Sequence, residues 1–266
     1  KGKKLDQNGF IRAVAMNMGW PMRRYQHTYR LFISMTRVPL RLMESYVSNP
    51  KKRPRPSMEQ MPAAALRKHT KKLKKDHPEK LAKYLEDVKK GKKKINIGAT
   101  QPHELVEKLE YGDKKDNTLV NQQWKALVTE SKKSPALGGT VCMVDVSGSM
   151  EGLPMMVAIA LGLLCTCLMP AELAGWIMTF SEVPEWVKID TTASLSEMYY
   201  SLKQATWGYN TNLLAALDLL LAMCVKLELD RIPNICVLTD MVFDKADAAN
   251  SEKTTDVLIR QHLARA

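Results

Sequence analysis

What the chain lacks narrows its reading first. Its five cysteines, Cys142, Cys165, Cys167, Cys224 and Cys236, are odd in number and their spacings match no zinc pattern. Each lies in an apolar run. They read as reduced core residues of an intracellular protein rather than a disulfide framework. The five histidines, His27, His69, His77, His103 and His262, are scattered. None stands where it would act as a general base, and no G-x-S-x-G elbow surrounds a serine. The expectation is a protein that is not an enzyme. No signal peptide is visible and the first residue is Lys1 rather than Met, so a fragment or a processed product is expected. No strict internal repeat is present, although successive short amphipathic helices are compatible with a degenerate helical array. The longest apolar run, Leu153 to Ala171, is about long enough to cross a membrane. It opens on Pro154, closes at Met169-Pro170 and has no basic flanks, so it reads as a helix buried between a sheet and a neighbouring layer.

The 266 residues, 45% of them hydrophobic, suffice for one large or two ordinary domains. Net charge is +12, but it is unevenly placed. Residues 141–266 hold 8 Lys and Arg against 15 Asp and Glu, a net of −7, while residues 1–140 hold 32 against 13, a net of +19. A basic half invites polyanions, with nucleic acid the default. The clusters that would neutralise phosphates are Lys51, Lys52, Arg53 and Arg55, the stretch 67–75, and Lys92, Lys93 and Lys94 within 89–94. Lysine runs supply affinity that is independent of base sequence. A solvated surface of the same composition would look alike.

Residues 1–48 carry helical spacing, broken at Gly19-Trp20-Pro21 and Val38-Pro39. Asn49 to Ser57 is a basic, proline-rich connection. Helices are expected over Met61 to Leu73, His77 to Lys90 with a glycine stop at Gly91, from Gln101 onward, and over Thr118 to Glu130. Ser131 to Pro135 is the expected linker, dividing a basic helical region at 1–135 from a second domain at 136–266. From Gly138 the pattern alternates β and α. Strands are expected at 140–145, 173–180, 184–189 and 233–239, and helices at 153–168, 194–204, 212–227 and 252–265. That alternation predicts a doubly wound, mostly parallel sheet behind an all-α region.

The most informative stretch is Val141 to Met150. A buried-type strand ends in Asp145, and the hydroxyls of Ser147 and Ser149 follow around Gly148. One carboxylate and two hydroxyls on a tight loop form half of an oxygen shell suited to a hard divalent cation such as Mg²⁺. Downstream, Trp207 to Asn212 supplies the hydroxyl of Thr211 ahead of an apolar helix. Ile232 to Asp240 is a second strand ending in Asp, with Asp244 four residues on. As turn formers and helix caps the same residues would also be at home.

The order Asp-x-Ser-x-Ser, Thr, Asp resembles the metal-ion-dependent adhesion site of von Willebrand factor A (vWA) domains. From about Trp20 to Asp244 the chain resembles a eukaryotic and viral vWA-domain family with an N-terminal helical region. Its layout is similar to that of TROVE proteins, the Ro-type RNA-binding rings. The resemblance is carried by Tyr84 to Ile95, Pro102 to Val106, Gln123-Trp124, Asp145 to Met150 and Thr239 to Asp244. It implies Asp145, Ser147, Ser149, Thr211 and Asp240 as metal ligands, some through water. Where many vWA domains place glycine after the third-loop Asp, this chain has Met241. A complete vWA sheet carries two further strands, so the chain is expected to stop inside that domain.

The resulting expectation is an intracellular, cytoplasmic adaptor, with an organelle left open and no membrane involvement. It would bind RNA or a ribonucleoprotein such as a ribosome through its basic half. It would present Mg²⁺, or another divalent cation, to an acidic residue of a protein partner. The alternative is a metal-dependent protein-interaction module that binds no RNA.

Overall fold

The computed structural model describes residues 7–37, 57–98, 100–112, 117–133, 140–169, 173–180, 183–204, 212–230 and 232–240. The first helices, α1 (Gln7–Asn17) and α2 (Tyr25–Arg37), form a hairpin through a 3₁₀ turn at Met22–Arg24. Gly19 takes φ +64 at the break, a conformation in which a side chain would be strained. Trp20 packs on Tyr29 and Phe32 with ring centroids 6.4 and 5.5 Å apart.

Three short helices follow, α3 (Ala63–Lys68), α4 (Thr70–Asp76) and α5 (Pro78–Lys89). One continuous helix was expected from Met61 to Leu73, but the chain breaks at His69, with φ −101 and ψ 9. The Thr70 hydroxyl donates to the carbonyls of Leu66 and Arg67, at 2.7 and 3.0 Å. It competes there with the backbone donors that would continue the helix. Around Leu66, Leu73, Leu81 and Tyr84 these helices close a small core that also takes Ile95. Proline at the first position of α5 fits a site where the missing N–H costs nothing.

The helices α6 (Pro102–Tyr111) and α7 (Thr118–Ser131) lead into the sheet. Its strands are β1 (Thr140–Asp145), β2 (Trp176–Phe180), β3 (Glu185–Lys188) and β4 (Asn234–Leu238), in the order β3-β2-β1-β4. β2, β1 and β4 run parallel, and β3 is antiparallel to β2. Helices α8 (Leu153–Thr166), α9 (Leu195–Lys203) and α10 (Leu213–Lys226) make the connections.

Alternation along β1 sends side chains to two cores. Cys142 and Val144 face a cluster with Ile159, Leu163 and Tyr199, whereas Val141 and Met143 face Leu217 and Leu220 of α10. Helices on both faces are why β1 reads as an unbroken apolar run. A mixed α/β region with a small, mostly parallel sheet behind a helical region is thus observed. Gly162 of α8 lets the helix lie close to the sheet. A Cβ there would stand 2.5 Å from Val144 Cγ2 and 2.8 Å from Ile177 Cδ1.

The first cluster also holds Leu105, Val106 and Leu109 of α6 and Trp124 of α7. The helical half therefore shares its core with the sheet half. Polar contacts reinforce this: Tyr199 Oη donates to Glu110 at 2.6 Å, and Asn121 Nδ2 lies 3.1 Å from Ser196 Oγ. Among the described residues no helix is long and apolar enough to cross a membrane.

Candidate metal centre

β1 leads to α8 and then to β2 on one side, whereas β4 returns to the other side of β1. The strand order reverses between β1 and β4, which is where open α/β sheets hold ligands beyond their strands' carboxyl ends. Asp145 ends β1 at that place and is fully buried, with 0% exposure. Val144 pairs with Leu238, so the next residues, Asp145 and Thr239, stand level across the two strand ends.

Both oxygens of Asp145 are held. The Ser147 N–H donates to Oδ1 at 2.9 Å, and the Thr239 hydroxyl donates to Oδ2 at 2.5 Å. The first bond is an Asx-type turn that shapes the loop. Ser147 Oγ lies 3.2 Å from Ser149 Oγ; Ser147 is buried and Ser149 exposed. Asp240 follows Thr239 and is exposed. A fourth loop position is outlined by Asn212, whose side chain accepts from Ala215 N at 3.0 Å and caps α10. Thr211 and Asp244 lie outside the described residues, as does Met241.

The donor set suits a hard cation. Two adjacent corners of a Mg²⁺ octahedron, with bonds of about 2.1 Å, lie about 3 Å apart, close to the separation of the two serine oxygens. No group of three or more His, Cys, Asp and Glu side chains able to hold a metal occurs among the described residues. A cation at these loops must therefore rely on hydroxyls as well as carboxylates. Sequence reading places Asp145 at the end of β1 with Ser147 and Ser149 on the loop beyond it, and they are found there; Asp240, read as the end of a strand, lies two residues past β4. That reading passed over Thr239, whose position one residue before a strand-end Asp was the available signal.

The basic residues fall elsewhere. Lys92, Lys93 and Lys94 follow α5. Lys93 pairs with Glu59 at 2.7 Å and Asp87 at 3.8 Å, while Lys92 and Lys94 are exposed. Hydrogen bonding to Glu59 raises the Lys93 pKa, which keeps this ammonium protonated. Lys51, Lys52, Arg53 and Arg55 lie outside the described residues. Arg67, in the 67–75 stretch, turns inward. It donates to Gln123 Oε1 at 2.9 Å and pairs with Glu104.

All five cysteines are free, three of them buried and Cys167 and Cys236 partly so. Cys142 faces Cys236 in register. Hydrogen bonding to Cys165, together with burial, pushes the Cys142 thiol far above its ordinary range. A thiol held protonated in this way is a core residue rather than a nucleophile.

Two family profiles match the chain end to end. Residues 14–137 match a domain of unknown function (DUF2828), and residues 139–265 match another (DUF7788). The chain is also similar to the uncharacterized protein L728 of Acanthamoeba polyphaga mimivirus, at 38% identity over 176 residues. That stretch covers 65% of this chain and 30% of the viral protein, so the chain spans under a third of that relative. No solved structure matches.

Proposed function

We propose that the chain is a non-enzymatic adaptor with a vWA-like head. In this reading Asp145, Ser147, Ser149, Thr211 and Asp240 hold Mg²⁺, directly or through water, and a partner's carboxylate completes the shell. The observation that carries it is the bonding of Asp145 to Ser147 and Thr239, with Ser149 beside Ser147, at the strand-order reversal; Asp240 follows Thr239 in the chain. When bound, the cation supplies a charge that an acidic partner residue can meet. The chain's own part is to fix Asp145 from two sides, to hold the serine oxygens together, and to leave Ser149 and Asp240 open to solvent.

The basic half is proposed to seat this head on RNA or a ribonucleoprotein, through Lys51, Lys52, Arg53, Arg55, Lys92, Lys93 and Lys94. Its support is charge: a net of +19 in residues 1–140. The protein-only reading gains from the ion pairs that Lys93 and Arg67 make with carboxylates within the chain.

Calorimetry with Mg²⁺ on the full chain tests the head. Asp145→Ala and Asp240→Ala should each abolish binding, and unchanged affinity in both refutes the site. Filter binding of RNA across a salt series tests the basic half. Phosphate contacts release counterions, so affinity must fall steeply with salt. Affinity that ignores salt, or that is absent, leaves the protein-only adaptor.

A further inference from the structure

We propose that the α1–α2 hairpin is a docking surface for an acidic amphipathic helix of a protein partner. The hairpin is held by its own contacts: Ala15 is fully buried, and Trp20 packs on Tyr29 and Phe32. Its outer apolar residues are not used for that purpose. Phe10, Met16, Met18, Leu31 and Met35 all stand exposed, Met35 by 72%. Such a concentration of exposed thioether and aliphatic surface on one small unit marks an interaction site.

Charge names the partner's sign. Residues 7–37 contain no Asp or Glu and five arginines, Arg12, Arg23, Arg24, Arg30 and Arg37. Arg12, Arg23, Arg24 and Arg30 are exposed. Spacing names its shape. Leu31 and Met35, four apart on α2, share one helical face, and Arg24 ends the 3₁₀ turn just before that helix. Arg30 adjoins Leu31 on α2, and Arg23 stands in the 3₁₀ turn ahead of it. A partner helix with an apolar stripe bordered by Glu or Asp meets the apolar pair and the arginines at once.

Two other anions fit less well. A bilayer takes helices whose apolar face is wide and free of charge, yet the exposed Arg30 adjoins Leu31 on α2 and the exposed Arg12 lies between Phe10 and Met16 on α1. Single-stranded RNA stacks on a platform of several open aromatic faces, whereas Trp20 packs on Tyr29 and on Phe32 and leaves Phe10 the most exposed aromatic ring of the hairpin. Methionine and leucine, moreover, have nothing to gain from phosphate.

The assignment is independent of the metal loops and of the lysine clusters. The test uses the full chain and a fluorescent three-heptad peptide with a leucine stripe flanked by glutamates. A control peptide replaces each glutamate with lysine. Anisotropy in EDTA should show saturable binding of the acidic peptide and none of the control. Arg23→Glu with Arg30→Glu should weaken it at least about tenfold, and so should Leu31→Ser with Met35→Ser, since both charge and apolar contacts are used. These positions are exposed, so the circular dichroism of all variants should match the parent. Binding that tolerates either pair of changes, or equal binding of the lysine peptide, overturns the proposal. Loss of binding on Asp145→Ala also overturns it, by placing the acidic helix at the metal loops. A uridine oligonucleotide or phosphatidylserine vesicles that bind through the arginines, with the peptide unable to compete, overturn it in favour of that anion.

Discussion

Thr239→Val probes the candidate centre without touching a proposed metal ligand. Valine keeps the branched shape of threonine, so β4 should keep its form. It deletes the hydroxyl that donates to Asp145 Oδ2 at 2.5 Å, and Asp145 has no access to water to replace it. A hydrogen bond to a charged group contributes about 1.5–3 kcal/mol, and an unsatisfied buried partner costs a similar amount. The expected loss of stability is about 2 kcal/mol, or a fall of about 4–8 °C in Tm for a chain of this size. Urea unfolding in EDTA reads the loss directly, with Thr239→Ser as the control that restores a donor. Mg²⁺ should then stabilise Thr239→Val at least as much as the parent, because a cation that binds only the folded chain adds stability by mass action. A Thr239→Val chain as stable as the parent in EDTA would refute the reasoning: the carboxylate would then not depend on this donor.

Three further outcomes are expected. Gly162→Ala should destabilise by about 1–3 kcal/mol in urea, because its Cβ would meet Val144 Cγ2 at 2.5 Å inside a filled core; a neutral result would mean that α8 can move outward freely. Arg67→Leu should cost about 1–3 kcal/mol, since Gln123 is wholly buried and loses its donor; Gln123→Leu on top of it should recover part of the loss in the same assay. Burial, followed by the bond to Glu110, raises the Tyr199 pKa. The folded chain therefore holds this proton longer than the unfolded one. The stability it contributes is complete below pH 10, the ordinary tyrosine value, and is lost as pH rises above it. Tyr199→Phe should flatten the alkaline fall of stability seen in urea titrations, and an unchanged slope would remove Tyr199 from that account.

Much of the sheet region can be read from local pattern. β1 is apolar on both faces and short, α8 is apolar almost all round, and Asp145 ends the strand; each signal needs only neighbouring residues. The break at His69 escaped such reading, because a threonine hydroxyl competing for carbonyls leaves the apolar period intact. The docking of α6 onto α8 escaped it as well. Period 3.6 shows that Leu105, Val106 and Leu109 seek burial, but not against what. Thr239 is a third case: its bond joins residues 94 apart in sequence, and only the strand register brings them level. The ion pair of Lys93 with Glu59 joins residues distant in sequence and no local pattern announces it, whereas Asp87 lies only six residues back.

The shared cluster of α6 and α8 bears on how this chain can be divided, in the laboratory or by recombination. The two family profiles abut at residues 137 and 139, and a cut there looks natural on paper. It would strip Leu105, Val106 and Leu109 from Ile159 and Leu163 and leave each piece with half of an oily seam facing water. Neither piece is then a faithful sample of the whole, and each invites aggregation. The two segments are best regarded as one inheritable unit, with an acceptable place to cut lying outside that seam.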